Sequence, residues 1–116
     1  MSRLLPGIVT DAATLSLTHE PVPLEQVVAG TPTTGFVRLD ALGDVEVGVW
    51  EMTPGAMRDV EGDEVFVVLA GTATVAFEDP ALPVIELQAG SVVRLTAGMR
   101  TIWTVRETLR KIYIAG

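Results

Sequence analysis

The sequence contains no cysteine and only one histidine, His19. The absence of cysteine excludes disulfides, thiolate metal sites and cysteine nucleophiles, and it fits a reducing compartment. A single histidine also excludes a metal site built from several imidazoles. Because His19 lies in a proline-rich segment, we expect it to pack that segment or to lie on the surface rather than to take part in catalysis.

Positive charge and long apolar runs are also scarce. The 8 Lys and Arg residues against 15 Asp and Glu give a net charge of −7, so we expect no nucleic-acid partner. No apolar run approaches the ~18 to 20 residues of a membrane span. Residues 1–11 hold too short an apolar stretch for a signal peptide. We therefore expect a cytoplasmic protein that does not contact a membrane.

The chain does contain many short apolar segments rich in valine, isoleucine, threonine and aromatic residues, each bounded by glycine, proline or aspartate. This punctuation is typical of β-strands. Strands are predicted at residues 36–41, 45–52, 65–70, 72–78, 84–88, 92–95, 101–105 and 109–114. With 116 residues, 48% of them hydrophobic, the chain suits one domain, and the prediction is an all-β sandwich or barrel.

Residues 1–35 are expected to form an extended N-terminal arm, with residues 36–116 forming the barrel. Residues 19–35 carry three prolines and two glycines around the apolar run LEQVV, which favours an extended segment with one edge strand. Such an arm is suited to covering a sheet edge, either on its own barrel or on a partner subunit. We therefore expect a homodimer.

Two spaced motifs lie within the strand region. In GVWEMTPGAMRDVEGDEVFVVLAG (residues 48–71), six residues separate Glu64 from Gly71, and in LQAGSVVRLTAGMRTIWTV (residues 87–105), Gly90 and Gly98 precede Thr101. Together with the later run ETLRKIYI, they resemble the cupins, and in particular those related to the ureidoglycine aminohydrolase cupin domain and to an ethanolamine-utilisation cupin. The resemblance implies a jelly roll, a double-stranded β-helix barrel with a site inside.

The metal ligands that this resemblance implies are mostly missing. The resemblance implies four ligands, three histidines and a glutamate. Only the glutamate, Glu64, remains, and Thr101 stands at the position of the third histidine. For a spacer of four or of three residues before Glu64, the first two histidine positions fall on Met57 and Asp59 or on Arg58 and Val60. Asp59, Glu64 and Thr101 suit at most a loosely held hard cation. We therefore expect no cofactor and no tightly bound metal.

Strand alternation and the resemblance together place a set of side chains inside the barrel. Glu64 shares a face with Phe66, and Trp103 shares a face with Thr101. For Lys111 two alternatives remain open, because burial of the neighbouring isoleucine face would expose it, whereas the resemblance puts it inside. The candidate ligand-binding residues are Glu64, Trp103, Lys111, Thr101, Phe66, Tyr113, Trp50, Arg58 and Asp59.

Charged residues cluster in two places. The acidic run Asp59, Glu61, Asp63 and Glu64 is expected to be a solvated loop, with a rim that attracts a cationic ligand as the alternative. Five of the 8 basic residues fall between positions 94 and 111, so the C-terminal strands offer an alternative site for an anion such as a carboxylate.

The favoured function is a metal-free protein that binds a small polar metabolite inside the barrel, anchored by Glu64 and Lys111 and stacked on Trp103. One alternative is an enzyme similar to ureidoglycine aminohydrolase, acting on a small nitrogenous acid with Glu64 and Lys111 in acid–base roles. The other alternative is a structural dimer without a ligand.

Overall fold

The computed structural model describes residues 3–116, and within that range it has no helix, so none that is long and apolar enough to span a membrane. Its strands belong to one antiparallel sheet that curls into a barrel. They are β1 (His19–Pro21), β2 (Val27–Ala29), β3 (Thr33–Leu42), β4 (Val45–Met52), β5 (Gly55–Val60), β6 (Glu64–Asp79), β7 (Ile85–Leu87), β8 (Val92–Leu95) and β9 (Arg100–Ala115).

The two 16-residue strands β6 and β9 form the centre of the barrel. Along one edge β9 pairs with β6, and along its other edge its first half pairs with β5 and its second half with β4. β6 in turn also pairs with β7 and β8. This arrangement brings inward-facing side chains of β4, β5, β6 and β9 around a common interior.

Both long strands bend near Gly71, where the register between β6 and β9 shifts. Gly71 has φ of +91°, a left-handed conformation that favours glycine, and a Cβ at this position would collide with the carbonyl oxygen of Thr108. Four predicted segments are therefore halves of two bent strands: 65–70 with 72–78, and 101–105 with 109–114.

The sequence-based prediction missed β5, which runs antiparallel to β9 from Gly55 opposite Val105 to Val60 opposite Arg100. Its sequence GAMRDV follows Pro54 and mixes charged with apolar residues, so it lacks a strong strand pattern. Pairing with β9 on one side and with β2 on the other supplies the hydrogen bonds that hold it extended. The arm also contains two short strands where one was expected.

The N-terminal arm packs on the barrel of its own chain, with β1 paired to the start of β3 and β2 paired to β5. His19 Nε2 lies 2.7 Å from Glu51, and Arg110 Nε donates to the same carboxylate at 2.8 Å. Arg110 also donates to the carbonyls of Ala12 and Leu15. Burial raises the pKa of Glu51, but the bonds from Arg110 and His19 outweigh it and hold that pKa below its ordinary value. His19 therefore packs the arm.

The predicted inward face of β6 is the buried one. Phe66 and Val68 are almost completely inaccessible, and beyond the bend Ala73 and Val75 are equally buried. The remaining core side chains come chiefly from the strands paired with β6 and β9. The core cluster also includes Met52, Met57, Leu87, Leu95, Trp103, Val105, Leu109 and Tyr113.

Candidate functional site

A cavity of about 240 Å³ opens to solvent at one side of the core. Sites for drug-sized ligands enclose ~300 to 1,000 Å³, so this one suits a smaller molecule. Its lining combines aromatic rings with ionisable groups from β3, β4, β5, β6 and β9. The lining residues are Phe36, Glu46, Trp50, Asp59, Glu61, Glu64, Trp103, Lys111, Tyr113 and Ala115. The structure thus brings together six of the nine predicted ligand-binding residues.

The lining includes a short ion pair between neighbouring strands. Glu64 begins β6, and Lys111 on β9 donates from Nζ to Glu64 Oε2 at 2.6 Å. Both side chains are largely withdrawn from water, with 6% of Lys111 and 17% of Glu64 exposed. Of the two alternatives left open by the sequence, Lys111 therefore takes the inward one.

Three aromatic rings surround the ammonium group of Lys111. Its Nζ lies 4.3 Å from the ring centroid of Phe66 and 4.8 Å from those of Trp50 and Trp103. These distances fall within the range of cation–π attraction. Trp103 also contacts the other two rings, with centroids 5.7 Å from Trp50 and 5.5 Å from Phe66. The protein thus holds a cation of its own against an aromatic wall, with Phe66 behind the surface that faces the cavity.

A second polar group centres on Glu61, which is 8% exposed. Glu61 Oε2 accepts hydrogen bonds from the hydroxyl of Thr101 at 2.6 Å and from the indole nitrogen of Trp103 at 3.0 Å. Thr101, placed behind the cavity wall, is itself fully buried, and these bonds satisfy its hydroxyl. They also fix the orientation of the Trp103 ring.

The prediction that the acidic run is a solvated loop is wrong for three of its four residues, since Asp59 lies on β5, Glu64 begins β6 and pairs with Lys111, and Glu61 is buried. Met57, Asp59 and Glu61 alternate along the chain, and continuing the inward face of β5 for one more residue would have found it. Asp63 does follow the prediction, because it lies at the surface and pairs with Arg94 at 3.4 Å.

Asp59 lines the cavity from β5. Burial is the largest effect on its carboxyl group and, with the nearby charge of Glu61, raises the pKa of Asp59 to about 6. Arg58, the adjacent residue, points the other way, with 55% of its side chain exposed and an ion pair to Glu78 at 3.6 Å. Arg58 is therefore wrong as a candidate for the cavity, because strand alternation turns it outward, and the four-residue spacer to Glu64 is the one that matches the structure.

Tyr113 closes the cavity next to β4. Its hydroxyl donates to Glu46 Oε2 at 2.6 Å, and burial together with this bond raises the pKa of Tyr113 well above its ordinary value. Gly48 lies opposite Tyr113 in the β4–β9 register, and a Cβ there would collide with the phenol ring. Gly48 therefore makes room for the aromatic side chain. Glu46, like Glu61, was not identified from the sequence.

The residues at the family's metal positions do not fit a transition metal. Met57 is buried in the apolar core, Glu64 is bonded to Lys111, and the hydroxyl of Thr101 is bonded to Glu61. Among residues 3–116, no group of three or more His, Cys, Asp or Glu side chains is arranged to hold a metal ion. The adjacent ammonium of Lys111 further disfavours a second cation on Glu64.

Comparison with known proteins gives a consistent fold. The family model for the EutQ-like cupin domain matches residues 39–113. EutQ of Clostridium difficile is 18% identical, with a TM-score of 0.62 over 72% of this chain and 68% of that one. A putative ethanolamine utilization protein Q of Salmonella typhimurium is 16% identical, with a TM-score of 0.62 over 88% of this chain and 96% of that one.

A protein of unknown function from Pseudomonas syringae is 20% identical, with a TM-score of 0.73 over 89% of this chain. The chain spans only 45% of that protein's length. No curated protein matches the sequence. At these identities the likeness to the solved structures establishes the fold alone, and the function is argued from the site.

Proposed function

Because the chain belongs to the EutQ-like cupin family, we propose that it binds a small polar metabolite in the cavity beside Glu64, Lys111 and Trp103. The observation that carries this proposal is the buried ion pair of Glu64 and Lys111 in the lining of an open cavity. Desolvation offsets most of the attraction in a buried pair, so apolar residues of similar size would stabilise the barrel at least as well. The pair is therefore better explained by ligand binding than by stability.

Three features of the cavity support a binding role. Trp50 and Trp103 line the cavity and give it an apolar wall for the carbon part of a ligand. Asp59 and the Glu64–Lys111 pair offer polar groups at fixed positions, and the bonds between Glu61 and Trp103 hold the wall rigid before a ligand arrives. Binding in this cavity requires no transition metal, since Glu64 is engaged by Lys111 and Thr101 by Glu61.

The test is a binding screen read by tryptophan fluorescence, because both tryptophans of the chain line the cavity. Amino acids, ureido acids, dicarboxylates and small amines are titrated into the wild type and into Glu64→Gln. Loss of a charge-assisted hydrogen bond in Glu64→Gln should weaken the best ligand by roughly thirtyfold, or about 2 kcal/mol.

Glu78→Gln is the matched control for this screen, because it removes the same charge from the outer surface, where Glu78 pairs with Arg58. It should bind the ligand as the wild type does. If Glu64→Gln is too unstable to titrate, the double variant Glu64→Gln with Lys111→Met removes both charges of the buried pair and should also lose binding. Equal affinity of the double variant and the wild type would contradict the proposed role of the pair.

A second candidate function is an acid–base enzyme acting on a small nitrogenous acid, and the observation that favours it is the environment of Asp59. Glu64 and Lys111 hold each other as an ion pair, whereas the raised pKa of about 6 lets Asp59 exchange a proton near neutral pH. Release of ammonia from a ureido acid, abolished in Asp59→Asn, would support the enzyme. Binding without any turnover would contradict the enzyme and leave only the binding function.

We also propose a homodimer, as an expectation independent of the cavity. β1 covers only Thr33–Gly35 of β3, and beyond that point Phe36 and Leu42 are 66% and 72% exposed. Arg3 and Leu4 already donate to the carbonyl of Leu39 on this strand, and a second copy lying against the edge would cover the exposed apolar side chains and the remaining backbone groups.

A further inference from the structure

The cavity carries more negative than positive charge. Four carboxylates line it, from Glu46, Asp59, Glu61 and Glu64, against one ammonium group, that of Lys111. The ammonium is already engaged by Glu64 at 2.6 Å, so the pair adds little net charge. Of the remaining three carboxylates, Glu46 accepts a bond from Tyr113 and pairs with Arg38 at 3.8 Å. Within the described residues, Asp59 and Glu61 have no basic side chain as an ion-pair partner.

The basic residues of the C-terminal strands do not reach this cavity. Arg94 pairs with Asp63, Arg106 donates to Glu86, and Arg110 is held by Glu51 beneath the arm. Arg100 lines a neighbouring depression together with Arg58, and this depression shares Asp59 with the cavity but not the Glu64–Lys111 pair. The anion site that the sequence left open therefore has no group of basic side chains around the cavity.

Unused acceptor capacity remains on two of the carboxylates. Asp59 Oδ1 accepts from the backbone amide of Val60, and Glu61 Oε2 accepts from Thr101 and Trp103. Within the described part of the chain, no donor bonds to the second oxygen of either carboxylate. No fully buried side-chain oxygen there lacks a partner, so the second oxygens keep some access to solvent, and both residues line the cavity. A hydrogen-bond donor on a ligand would bond to these second oxygens.

The aromatic wall already binds a cation. The ammonium group of Lys111 lies within 4.8 Å of the ring centroids of Trp50, Phe66 and Trp103. Lys111 therefore already uses the attraction of these rings for a cation, and what Trp50 and Trp103 offer a ligand in the cavity is an apolar wall for its carbon chain. An anionic ligand would instead meet the carboxylates of Asp59 and Glu61, which lie outside the pairs of Glu64 with Lys111 and of Glu46 with Arg38.

We infer that the metabolite is a small organic cation, an alkylammonium compound whose charged nitrogen donates to Asp59 and Glu61 while its carbon chain lies on Trp50 and Trp103. This inference rests on the proposed function, and it names the class of ligand for that same cavity.

The experiment compares three probes of the same chain length: butylammonium, 1-butanol and butyrate. Each is titrated while the fluorescence of Trp50 and Trp103 is recorded at about pH 8, where the Asp59 carboxyl is ionised. Butylammonium should bind at least roughly tenfold more tightly than 1-butanol, and butyrate should bind most weakly.

Asp59→Asn should weaken butylammonium by roughly tenfold and leave 1-butanol unchanged, because only the charged probe uses the carboxylate. Asp63→Asn is the matched control, since it removes the same charge four residues away at a side chain that lies outside the cavity. It should leave all three affinities unchanged.

The outcomes separate this inference from the proposed function. Tighter binding of butyrate or 1-butanol than of butylammonium would overturn the cationic class and leave the cavity as a binding site. Equal loss of butylammonium binding in Asp59→Asn and Asp63→Asn would also overturn it, since the attraction would then be a general effect of net charge. Absence of binding by these probes and by every compound of the screen would overturn both.

Discussion

Replacing one member of the Glu64–Lys111 ion pair should destabilise the protein far more than replacing both. At 2.6 Å and an effective dielectric constant of about 20, the gross attraction of the pair is about 6 kcal/mol. Desolvation offsets much of this, and breaking a buried pair costs about 3 to 5 kcal/mol because one charge stays buried alone. In Glu64→Gln, the cation–π contacts of Lys111 and a new amide acceptor remain, so we expect a loss at the lower end, about 3 kcal/mol.

The double variant Glu64→Gln with Lys111→Met should recover most of this loss. Methionine is unbranched and makes favourable contacts with aromatic rings, so it suits the space between Trp50, Phe66 and Trp103. We expect the double variant to lie within about 1 kcal/mol of the wild type, which gives a coupling energy of several kcal/mol.

Urea unfolding followed by both tryptophan fluorescence and circular dichroism measures these free energies for the wild type, the two single variants and the double variant. Phe66→Ala is the control for simple loss of packing, with an expected cost of about 3 kcal/mol and no rescue by Lys111→Met. A Glu64→Gln variant within about 0.5 kcal/mol of the wild type, or single-variant losses that simply add in the double variant, would refute the reasoning.

Four further predictions concern other parts of the structure. Asp59→Asn should stabilise the protein progressively as pH rises from about 4 to about 6, reaching about 1 kcal/mol after allowance for the exposed part of the side chain. The reason is that burial, and then the charges of Glu61 and Glu64, favour the protonated form of Asp59 in the folded state, against the opposing effect of Lys111. Urea unfolding at several pH values measures the difference from the wild type, and a constant difference would be inconsistent with titration of Asp59. Glu61→Ala should cost about 2 kcal/mol in the same assay, since the hydroxyl of Thr101 loses its acceptor, and an unchanged stability would show that the bond does not matter. Light scattering should give twice the chain mass of 12.3 kDa, whereas the mass of one chain would argue against the dimer. Elemental analysis of desalted protein should find far less than one Mn, Fe, Ni or Zn per chain, and a stoichiometric metal would disprove metal-free binding.

The sequence was sufficient to predict the all-β cupin barrel, and the comparisons confirm that prediction. Alternating apolar residues such as Phe66 and Val68 identify the inward face of β6, because burial of one face imposes a period of two. The spacing of Gly71 from Glu64 reflects a bend that only a residue without a Cβ accommodates. Such local patterns can be interpreted without knowledge of the tertiary structure.

The sequence was weaker wherever a tertiary partner decides the outcome. β5 is extended because β9 and β2 lie beside it, and its own residues give no strong sign of that. Glu61 was assigned to solvent because the two groups that donate to its carboxylate, on Thr101 and Trp103, lie 40 or more residues away in the chain. Periodicity alone would likewise expose Lys111, since its stabilisation comes from Glu64 on another strand.

That pairing also changes an expectation for Glu64. A desolvated carboxylate without a partner lowers the stability of the fold, so the sequence by itself predicts that Glu64→Gln is neutral or stabilising. With Lys111 at 2.6 Å, the same substitution leaves a buried ammonium without its counter-charge, and the expected effect on stability changes sign.

The central claim is that the cavity is a ligand site, and a high-resolution crystal structure of the protein with the tightest compound from the binding screen tests it most directly. We predict ordered density for that compound between Trp103 and Asp59, in contact with the Glu64–Lys111 pair. A compound found on the outer surface, with the cavity holding only water, would contradict the claim.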